Sequence, residues 1–183
     1  CDTPPPPRQG SPDLVLISID GLRADHLGLH GRSPSPTPTL DALAAEGMVF
    51  EQSFSQGNES LYSHAAMFTG RHVSEVAAPD YRTYAIPDSA MLVSEVLSLY
   101  GYQTAAFLAG GHVHEAYGFK QGFSHFDDSA HFGSFFNKVP PALDWLDGLT
   151  PEPFFLILHG YDCHRPYPHA GPWYHAYGDD YTG

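Results

Sequence analysis

Three positions with reactive side chains lie where predicted strands end or predicted helices begin. Asp20 ends an apolar, β-branched run at residues 14–19. Ser60 falls in the first turn of a predicted helix, and the polar group 159–167 follows a second apolar run. In open α/β sheets, ligands bind beyond the carboxyl ends of the strands. The sequence therefore predicts that these side chains meet at one edge of a sheet.

The residue types suggest a different chemical role for each side chain. A hydroxyl in the first turn of a helix lies near free backbone N–H groups, which bind anions and stabilise an alkoxide. The carboxylate of Asp20 can hold a divalent metal against the same oxygen. The imidazoles of His159 and His164, beyond the later strand, can protonate a leaving group. Together these residues outline an ester hydrolase that acts on a tetrahedral oxyanion.

Each residue also has an ordinary structural interpretation. Serine is common at helix starts, and His64, four residues after Ser60, is equally typical of a solvated helix face. The histidines after residue 159 match no zinc-binding spacing. His112 and His114 fall on one side of the chain if it is extended, but histidine pairs in loops are usually incidental. Asp20 by itself is a normal polar strand end.

The elements that must position these residues alternate along the chain. The run at residues 14–19 predicts a central strand of a parallel sheet, covered by helices on both faces. Further strands are predicted at 48–54, 103–108 and 153–159, and residues 110–131 are predicted to form a loop. This alternation predicts a doubly wound α/β fold with a mostly parallel sheet and helices on both faces.

Capping residues and apolar spacing predict the helices. The segment 38–47 is expected to begin behind Thr37 and end at Gly47, and the segment 59–69 to begin behind Asn58. A third helix is predicted at 90–100, behind Ser89, and a short one at 141–149. Residues 161–183 show neither helical nor strand periodicity. We therefore expect that the sheet is incomplete within these 183 residues and that the domain is longer.

The composition of the chain limits the classes of function that it can have. The chain has 183 residues, 42% of them hydrophobic, which is enough for one sizeable core. Eight Lys and Arg against 21 Asp and Glu give a net charge of −13, which argues against nucleic-acid partners. No segment resembles a membrane span.

The first twelve residues are predicted to form a flexible tether. They include four consecutive prolines, Pro4 to Pro7, and no core-forming run. Cys1 resembles the acylated first residue of a mature bacterial lipoprotein, which predicts a lipid anchor and a location in the bacterial cell envelope. The alternative to a lipoprotein is that the chain merely happens to start at a cysteine. Cys163 is the only other cysteine, so no disulfide framework is expected.

The motifs, taken in order, resemble the sulfatase family of the alkaline phosphatase-like superfamily. The resemblance covers nearly all of the chain after the tether, and residues 13–183 are identified as the N-terminal portion of a sulfatase-like catalytic domain. The matching segments are 17–28, 37–41 with Gly47 and Phe50, 60–70, 101–107, 122–123 and 159–167.

The resemblance implies roles for individual residues. Asp20 matches the first metal-ligand aspartate, and Ser60 the residue converted to formylglycine or, in relatives, kept as a hydroxyl nucleophile. His64 replaces the signature arginine. His114, and with it His112, falls near a substrate-binding Lys-x-His pair. His164 matches the histidine of a Pro-His-x-Pro-Tyr-like segment, and His159 in the same segment is expected to bind substrate.

Several positions depart from the family pattern. The segment 60–64 reads Ser-Leu-Tyr-Ser-His, without the proline and arginine that guide formylglycine formation. Gly21 stands where many sulfatases have a second metal-binding aspartate, and Cys163 replaces the proline before His164. The later Asp-His or Asp-Asn pair of the family's metal site does not occur in these 183 residues.

The resemblance implies a metal-dependent hydrolase of sulfate esters, with a small-molecule or glycan substrate and Ca²⁺ or Mg²⁺ as the metal, although this portion alone is expected to be inactive. One alternative is a phosphoesterase or phospho-group transferase of the same superfamily, with an unmodified Ser60 and Zn²⁺ or Mn²⁺. Another is a surface lipoprotein that uses an inactive hydrolase fold for binding.

Overall fold

The computed structural model describes residues 10–76 and 84–165, which form two compact units. The first unit contains residues 10–20, 55–76 and 84–161, and the second contains residues 21–54 and 162–165. Cys1 and most of the predicted tether lie outside the described residues.

The first unit is built on a parallel four-stranded sheet. Its strands are β1 (Leu14–Ile19), β2 (Gln103–Phe107), β3 (His125–Asp127) and β4 (Phe154–Gly160). Their order across the sheet is β1-β4-β2-β3, and every pairing is parallel. The helices of this unit are α2 (Ser60–Thr69), α3 (Val73–Val76), α4 (Val93–Leu99) and α5 (Phe135–Asp147).

Alternate residues of the inner strands face two separate cores. Ala106 of β2 and Ile157 of β4 join the core that contains residues of α2. Ala105 and Leu156, their neighbours along the strands, pack instead with Ala142 of α5. Because strand side chains alternate in direction, helices on both sides are needed to cover such strands. This arrangement confirms the predicted α/β class.

Strand β1 differs from the prediction of a central strand. It lies at the edge of the described sheet, next to β4. Leu14 and Leu16 pack against the core, but Val15 and Ile17 on the opposite face are 54% and 55% exposed. The prediction of cover on both faces was wrong for the described residues, because an unbroken apolar run does not reveal a strand's place in its sheet.

Helix ends were the least accurate predictions. The N-cap of α2 is Glu59 rather than Asn58. Helix α4 begins at Val93, three residues after the predicted start, and the Glu95 carboxylate there accepts the Leu92 N–H in place of a Ser89 cap.

The region before β4 also differs from its prediction. Helix α5 begins at Phe135, behind the Ser134 cap, and ends at Asp147, so the predicted helix at 141–149 covers only its second half. Strand β3 lies within the predicted loop 110–131. With three residues, β3 is too short for an alternating pattern to reveal it.

The second unit contains α1 (Pro38–Glu46) and two short 3-10 turns, Ala24–His26 and Gly28–His30. Thr37 is the N-cap of α1, but its side chain makes no capping bond and instead accepts the N–H of Gly28. The strand predicted at 48–54 is absent. Its large apolar side chains are exposed, so no partner strand or core fixes an extended pairing; they are Met48, Val49, Phe50 and Phe54.

Candidate active site

Asp20 lies at the carboxyl edge of the sheet because β1 ends just before it. Ile19 is in register with Gly160 of β4, and the Asp20 N–H donates to the Gly160 carbonyl at 3.0 Å. Since β1 and β4 are parallel, the side chains that end both strands meet at this edge. His159 and Tyr161 are therefore the neighbours of Asp20 contributed by β4.

Ser60 is the first residue of α2 and contacts Asp20 directly. Its Oγ–H donates to Asp20 Oδ2 at 2.5 Å, across 40 residues of sequence. The Glu59 side chain makes no capping bond with the helix, so the first turn keeps backbone N–H groups for an anion. The structure thus brings the predicted nucleophile and the predicted metal ligand together.

His64 fixes the first turn of α2 to β1. Its Nδ1–H donates to the Ser60 carbonyl at 2.7 Å, and its Nε2 accepts the Ser18 hydroxyl at 2.9 Å. The carbonyl acceptor requires a proton on Nδ1, and Nε2 accepts when the ring is neutral. Burial, reinforced by the neighbouring His159, lowers the pKa of His64 from 6.5 to about 4. His64 is therefore buried, neutral and fully hydrogen-bonded, which differs from the solvated helix residue that its spacing also allowed.

Two further rings stand beside Asp20. The ring of His159 lies 4.9 Å from that of His64 and 4.7 Å from that of Tyr161, measured between centroids. Its Nε2 is 3.6 Å from Asp20 Oδ2. Tyr161 donates to the Gly110 carbonyl at 3.3 Å. Burial raises the pKa of Tyr161, although a hydrogen bond with Ser60 opposes this shift.

Tyr161 and Ser18 are site residues that the sequence interpretation missed. Tyr161 directly follows β4, as Asp20 follows β1, so its place at the strand end was the available signal. Ser18 is the one polar residue within the apolar run of β1. Ser18 is partly buried, and its hydroxyl makes a hydrogen bond with His64.

The electrostatics keep Asp20 ionised. Partial burial alone would raise its pKa, but the neighbouring His159 and Ser60 side chains outweigh burial, and the pKa of Asp20 is lowered. A carboxylate that stays charged near neutral pH suits cation binding.

The potential metal ligands around Asp20 are few. Within residues 10–76 and 84–165, no three His, Cys, Asp or Glu side chains are grouped as a metal site. Gly21 has a φ of +75°, and a Cβ there would lie 2.7 Å from the Cys163 carbonyl oxygen, so the position favours glycine and excludes a carboxylate side chain. Asp20 and His159 are the ligand-type side chains that the structure places side by side.

The other predicted histidines make local contacts. His114 Nδ1 accepts the Ala116 N–H, and its Nε2 is 3.3 Å from Asp128. The His112 ring packs edge-on against Tyr117 at 6.0 Å. In the second unit, the partly buried His164 donates from Nδ1 to the Arg165 carbonyl. Their assigned roles, like that of Cys1, stay predictions.

Comparison with known proteins identifies the family of this chain. The model of the Sulfatase family matches residues 12–182, nearly the whole chain. The chain belongs to the sulfatase family. This sulfatase-family chain is 32% identical over 156 residues to N-acetylgalactosamine-6-sulfatase of Rattus norvegicus, a match that covers 73% of the chain and 29% of the rat protein. The arylsulfatase of Clostridium perfringens is 39% identical over 59 residues, covering 32% of this chain and 12% of that enzyme.

Solved structures agree on the fold. The structure of BT4656 in complex with its substrate D-glucosamine-2-N,6-O-disulfate has a TM-score of 0.71 at 19% identity, covering 84% of this chain and 35% of that chain. The phosphonate monoester hydrolase of Agrobacterium radiobacter has a TM-score of 0.65 at 17% identity, covering 86% and 42%. These two matches confirm the predicted α/β fold, and the family match confirms the predicted sulfatase family.

The sulfatase-family chain spans 29–30% of the length of the N-acetylgalactosamine-6-sulfatases that it matches. Among the helices of its described residues, none has the length and apolar character required to cross a membrane.

Proposed function

We propose that the chain supplies the nucleophile and one metal ligand of a hydrolase that cleaves sulfate esters. Ser60 attacks the ester, and Asp20 binds a divalent metal beside it. The observation that carries the proposal is the 2.5 Å hydrogen bond from Ser60 Oγ to Asp20 Oδ2. In this arrangement the hydroxyl can attack the substrate while the neighbouring carboxylate binds a cation.

The residues around this pair have separable tasks. The hydroxyl of Ser60 loses its proton as it attacks, and Asp20 Oδ2 is the acceptor within reach. The N–H groups of the first turn of α2 bear the negative charge that develops on the ester oxygens. A divalent metal at Asp20 would add Lewis-acid stabilisation of that charge.

We assign His64 a positioning role rather than acid catalysis. A ring with a pKa of about 4 and both nitrogens engaged has no proton to give at neutral pH. His64 instead holds the Ser60 carbonyl against β1, which orients the nucleophile. The proton for the departing alkoxide is the role that the resemblance implies for His164 or His114.

The substrate class follows from relatives. N-acetylgalactosamine-6-sulfatase and BT4656, the latter bound to a glucosamine disulfate, support a glycan sulfate ester as substrate. The resemblance to sulfatases favours Ca²⁺ or Mg²⁺ at Asp20, with formylglycine at position 60 as an optional maturation. A lipid anchor at Cys1 and a place in the bacterial cell envelope complete the proposal.

A second candidate is a phosphoesterase or phospho-group transferase with an unmodified Ser60. The segment 60–64 favours it, because the proline and arginine that accompany formylglycine formation are missing.

The test is hydrolysis of 4-nitrophenyl sulfate and 4-nitrophenyl phosphate by the protein expressed in its native host. Ser60→Ala is expected to lower kcat/KM at least about 1,000-fold, because the nucleophile is removed. Ser98→Ala, at an exposed helix serine of the same unit, is the matched control and should stay within about threefold. Mass spectrometry of the Ser60 peptide distinguishes an aldehyde from a hydroxyl.

The outcomes separate the candidates. An aldehyde with faster sulfate turnover supports the sulfatase, and an intact hydroxyl with faster phosphate turnover supports the phosphoesterase. Equal rates for Ser60→Ala and the wild type would overturn both. No turnover of either ester would favour the inactive binding protein.

A further inference from the structure

Tyr161 is a buried side chain at the carboxyl end of the sheet that the proposed reaction leaves without a role. It directly follows β4 and is 4% exposed. Its backbone N–H donates to the Gly133 carbonyl at 3.0 Å. Its ring packs edge-on against the rings of His159 and Phe132, at 4.7 Å and 5.1 Å between centroids. These contacts fix the ring, and with it the position of the hydroxyl at its tip.

Two consecutive glycines make room for that hydroxyl. The Gly110 carbonyl accepts the Tyr161 O–H at 3.3 Å. A Cβ at Gly111 would lie 2.7 Å from the hydroxyl oxygen, closer than a carbon atom can approach it without displacement. Both glycines have a positive φ, of +75° and +65°, which other residues rarely adopt. The turn therefore brings its backbone as close to the Tyr161 hydroxyl as only glycine allows.

The same hydroxyl has a second partner in Ser60, with which it forms a hydrogen bond. The Ser60 proton is already directed at Asp20 Oδ2, at 2.5 Å. The proton shared by the two hydroxyls is therefore that of the phenol, which Tyr161 donates and Ser60 Oγ accepts. The competing bond to Gly110 is weak, because 3.3 Å exceeds the usual O–H···O distance of about 2.5–3.0 Å.

We propose that Tyr161 is a further catalytic residue, whose hydroxyl donates a hydrogen bond to Ser60 Oγ and stabilises the negative charge that grows there as the Ser60 proton passes to Asp20. The inference rests on the proposed function in taking Ser60 as the nucleophile. Tyr161 keeps its own proton throughout, so it transfers no group. A donor that is fixed before the reaction stabilises the transition state without reorganisation.

The test compares Tyr161→Phe with the wild type expressed in its native host, on whichever nitrophenyl ester the wild type hydrolyses faster. This substitution removes the hydroxyl and keeps the ring. Tyr84→Phe is the matched control, because Tyr84 is a 1% exposed tyrosine of the same unit whose hydroxyl makes no hydrogen bond to the described residues. Circular dichroism melts establish that each variant is folded.

We expect Tyr161→Phe to lower kcat at least about tenfold while KM stays within about twofold, because the hydrogen bond strengthens only as charge develops on Ser60. Tyr84→Phe should stay within about threefold of the wild type. A tyrosine that served only the packing of the site would change the melting temperature and leave kcat as it is.

A second pair of variants tests the turn around the hydroxyl. Gly111→Ala places a methyl group against the Tyr161 hydroxyl and should lower kcat in the same direction. Gly70→Ala is its control, because Gly70 has a similar φ of +64° but a Cβ there would meet no atom of the described residues within 4 Å beyond its chain neighbours. The double variant of Gly111→Ala and Tyr161→Phe should be no slower than the slower single variant, since both act on one hydrogen bond.

A readout without ester turnover is the rate at which phenylmethylsulfonyl fluoride labels Ser60, followed by mass spectrometry. In this reaction the Ser60 oxygen bonds to sulfur, the S–F bond breaks, and the proton leaves with fluoride. Tyr161→Phe should slow the labelling at least about tenfold, because the attacking oxygen is less easily deprotonated. Tyr84→Phe should be labelled at the rate of the wild type.

A kcat and a labelling rate for Tyr161→Phe equal to those of the wild type would overturn the inference, as would a loss that Tyr84→Phe shares. If Ser60→Ala abolishes hydrolysis while Tyr161→Phe is fully active, only the inference falls. If Tyr161→Phe slows the labelling of Ser60 but Ser60→Ala keeps full turnover, only the proposed nucleophile falls. A wild type in which Ser60 neither reacts with the reagent nor hydrolyses an ester would overturn both.

Discussion

Two histidine rings lie 4.9 Å apart beside the same carboxylate, yet their surroundings are opposite. His64, on α2, has hydrogen bonds at both nitrogens, to Ser18 and to the Ser60 carbonyl. His159, on β4, has none among the described residues. A buried polar group with all its partners strengthens the fold, whereas one without partners weakens it. The difference shows that the fold holds His64 at both nitrogens, whereas the polar contact of His159 is the 3.6 Å approach of its Nε2 to Asp20 Oδ2.

The largest expected effect that tests this comparison is on pH dependence. The pKa of His64 is about 4 in the folded protein against 6.5 as a free side chain. Between these values the unfolded chain binds a proton that the folded chain does not, so stability falls as the pH drops from 6.5 towards 4. The loss is about 3 kcal/mol. Urea unfolding of the wild type and His64→Leu, measured from pH 7 to pH 4.5, checks it. The variant should show a shallower decline, and identical declines would contradict the assignment.

The next effect is on stability at neutral pH. His64→Leu removes two hydrogen bonds and leaves the Ser18 hydroxyl and Ser60 carbonyl without that partner. We expect the free energy of unfolding to fall by about 2–3 kcal/mol. Ser18→Ala removes one of the two bonds and should cost about 1 kcal/mol. In the double variant the two losses should not add, because both act on one interaction. Fully additive losses would show that Ser18 and His64 are independent.

The smallest effect is expected at the other ring. His159→Leu replaces a buried imidazole by an apolar group of similar size. That imidazole makes no hydrogen bond to the described residues, although its Nε2 lies 3.6 Å from Asp20 Oδ2. In metal-free buffer, the free energy of unfolding should change by less than about 1 kcal/mol, or should rise. The matched substitution at His64 provides the contrast in the same urea experiment. A loss as large as that of His64→Leu would show that His159 has a structural partner and would remove the contrast between the two rings.

The sequence predicted which strand and helix ends form the site better than it predicted which side chains are buried there. The ends of the apolar runs before Asp20 and His159, and the helical spacing after Ser60, were sufficient to bring a carboxylate and a hydroxyl to one edge of the sheet. Burial of His64 was not predictable from its spacing, because a helix residue four positions after Ser60 can face either solvent or a strand. Its orientation depends on Ser18, a contact across 46 residues.

Other errors have the same origin in distant contacts. The apolar residues at 48–54 satisfy a strand pattern, but a strand also needs a neighbour to accept its backbone hydrogen bonds. Strand β3 is the converse case, since its three residues form a strand only because β2 pairs with them. The exposed face of β1 follows from its edge position, which depends on the order of the strands and not on the composition of β1 itself.

The most direct test of the central claim, that Ser60 and Asp20 act as one catalytic pair, is a double-mutant cycle on ester hydrolysis. The value of kcat/KM is measured for the wild type, Ser60→Ala, Asp20→Asn and the double variant, on whichever nitrophenyl ester the wild type hydrolyses faster. If the pair acts as a unit, the double variant should be about as slow as the slower single variant. Losses that multiply, so that the double variant is slower by the product of the two single effects, would contradict the account.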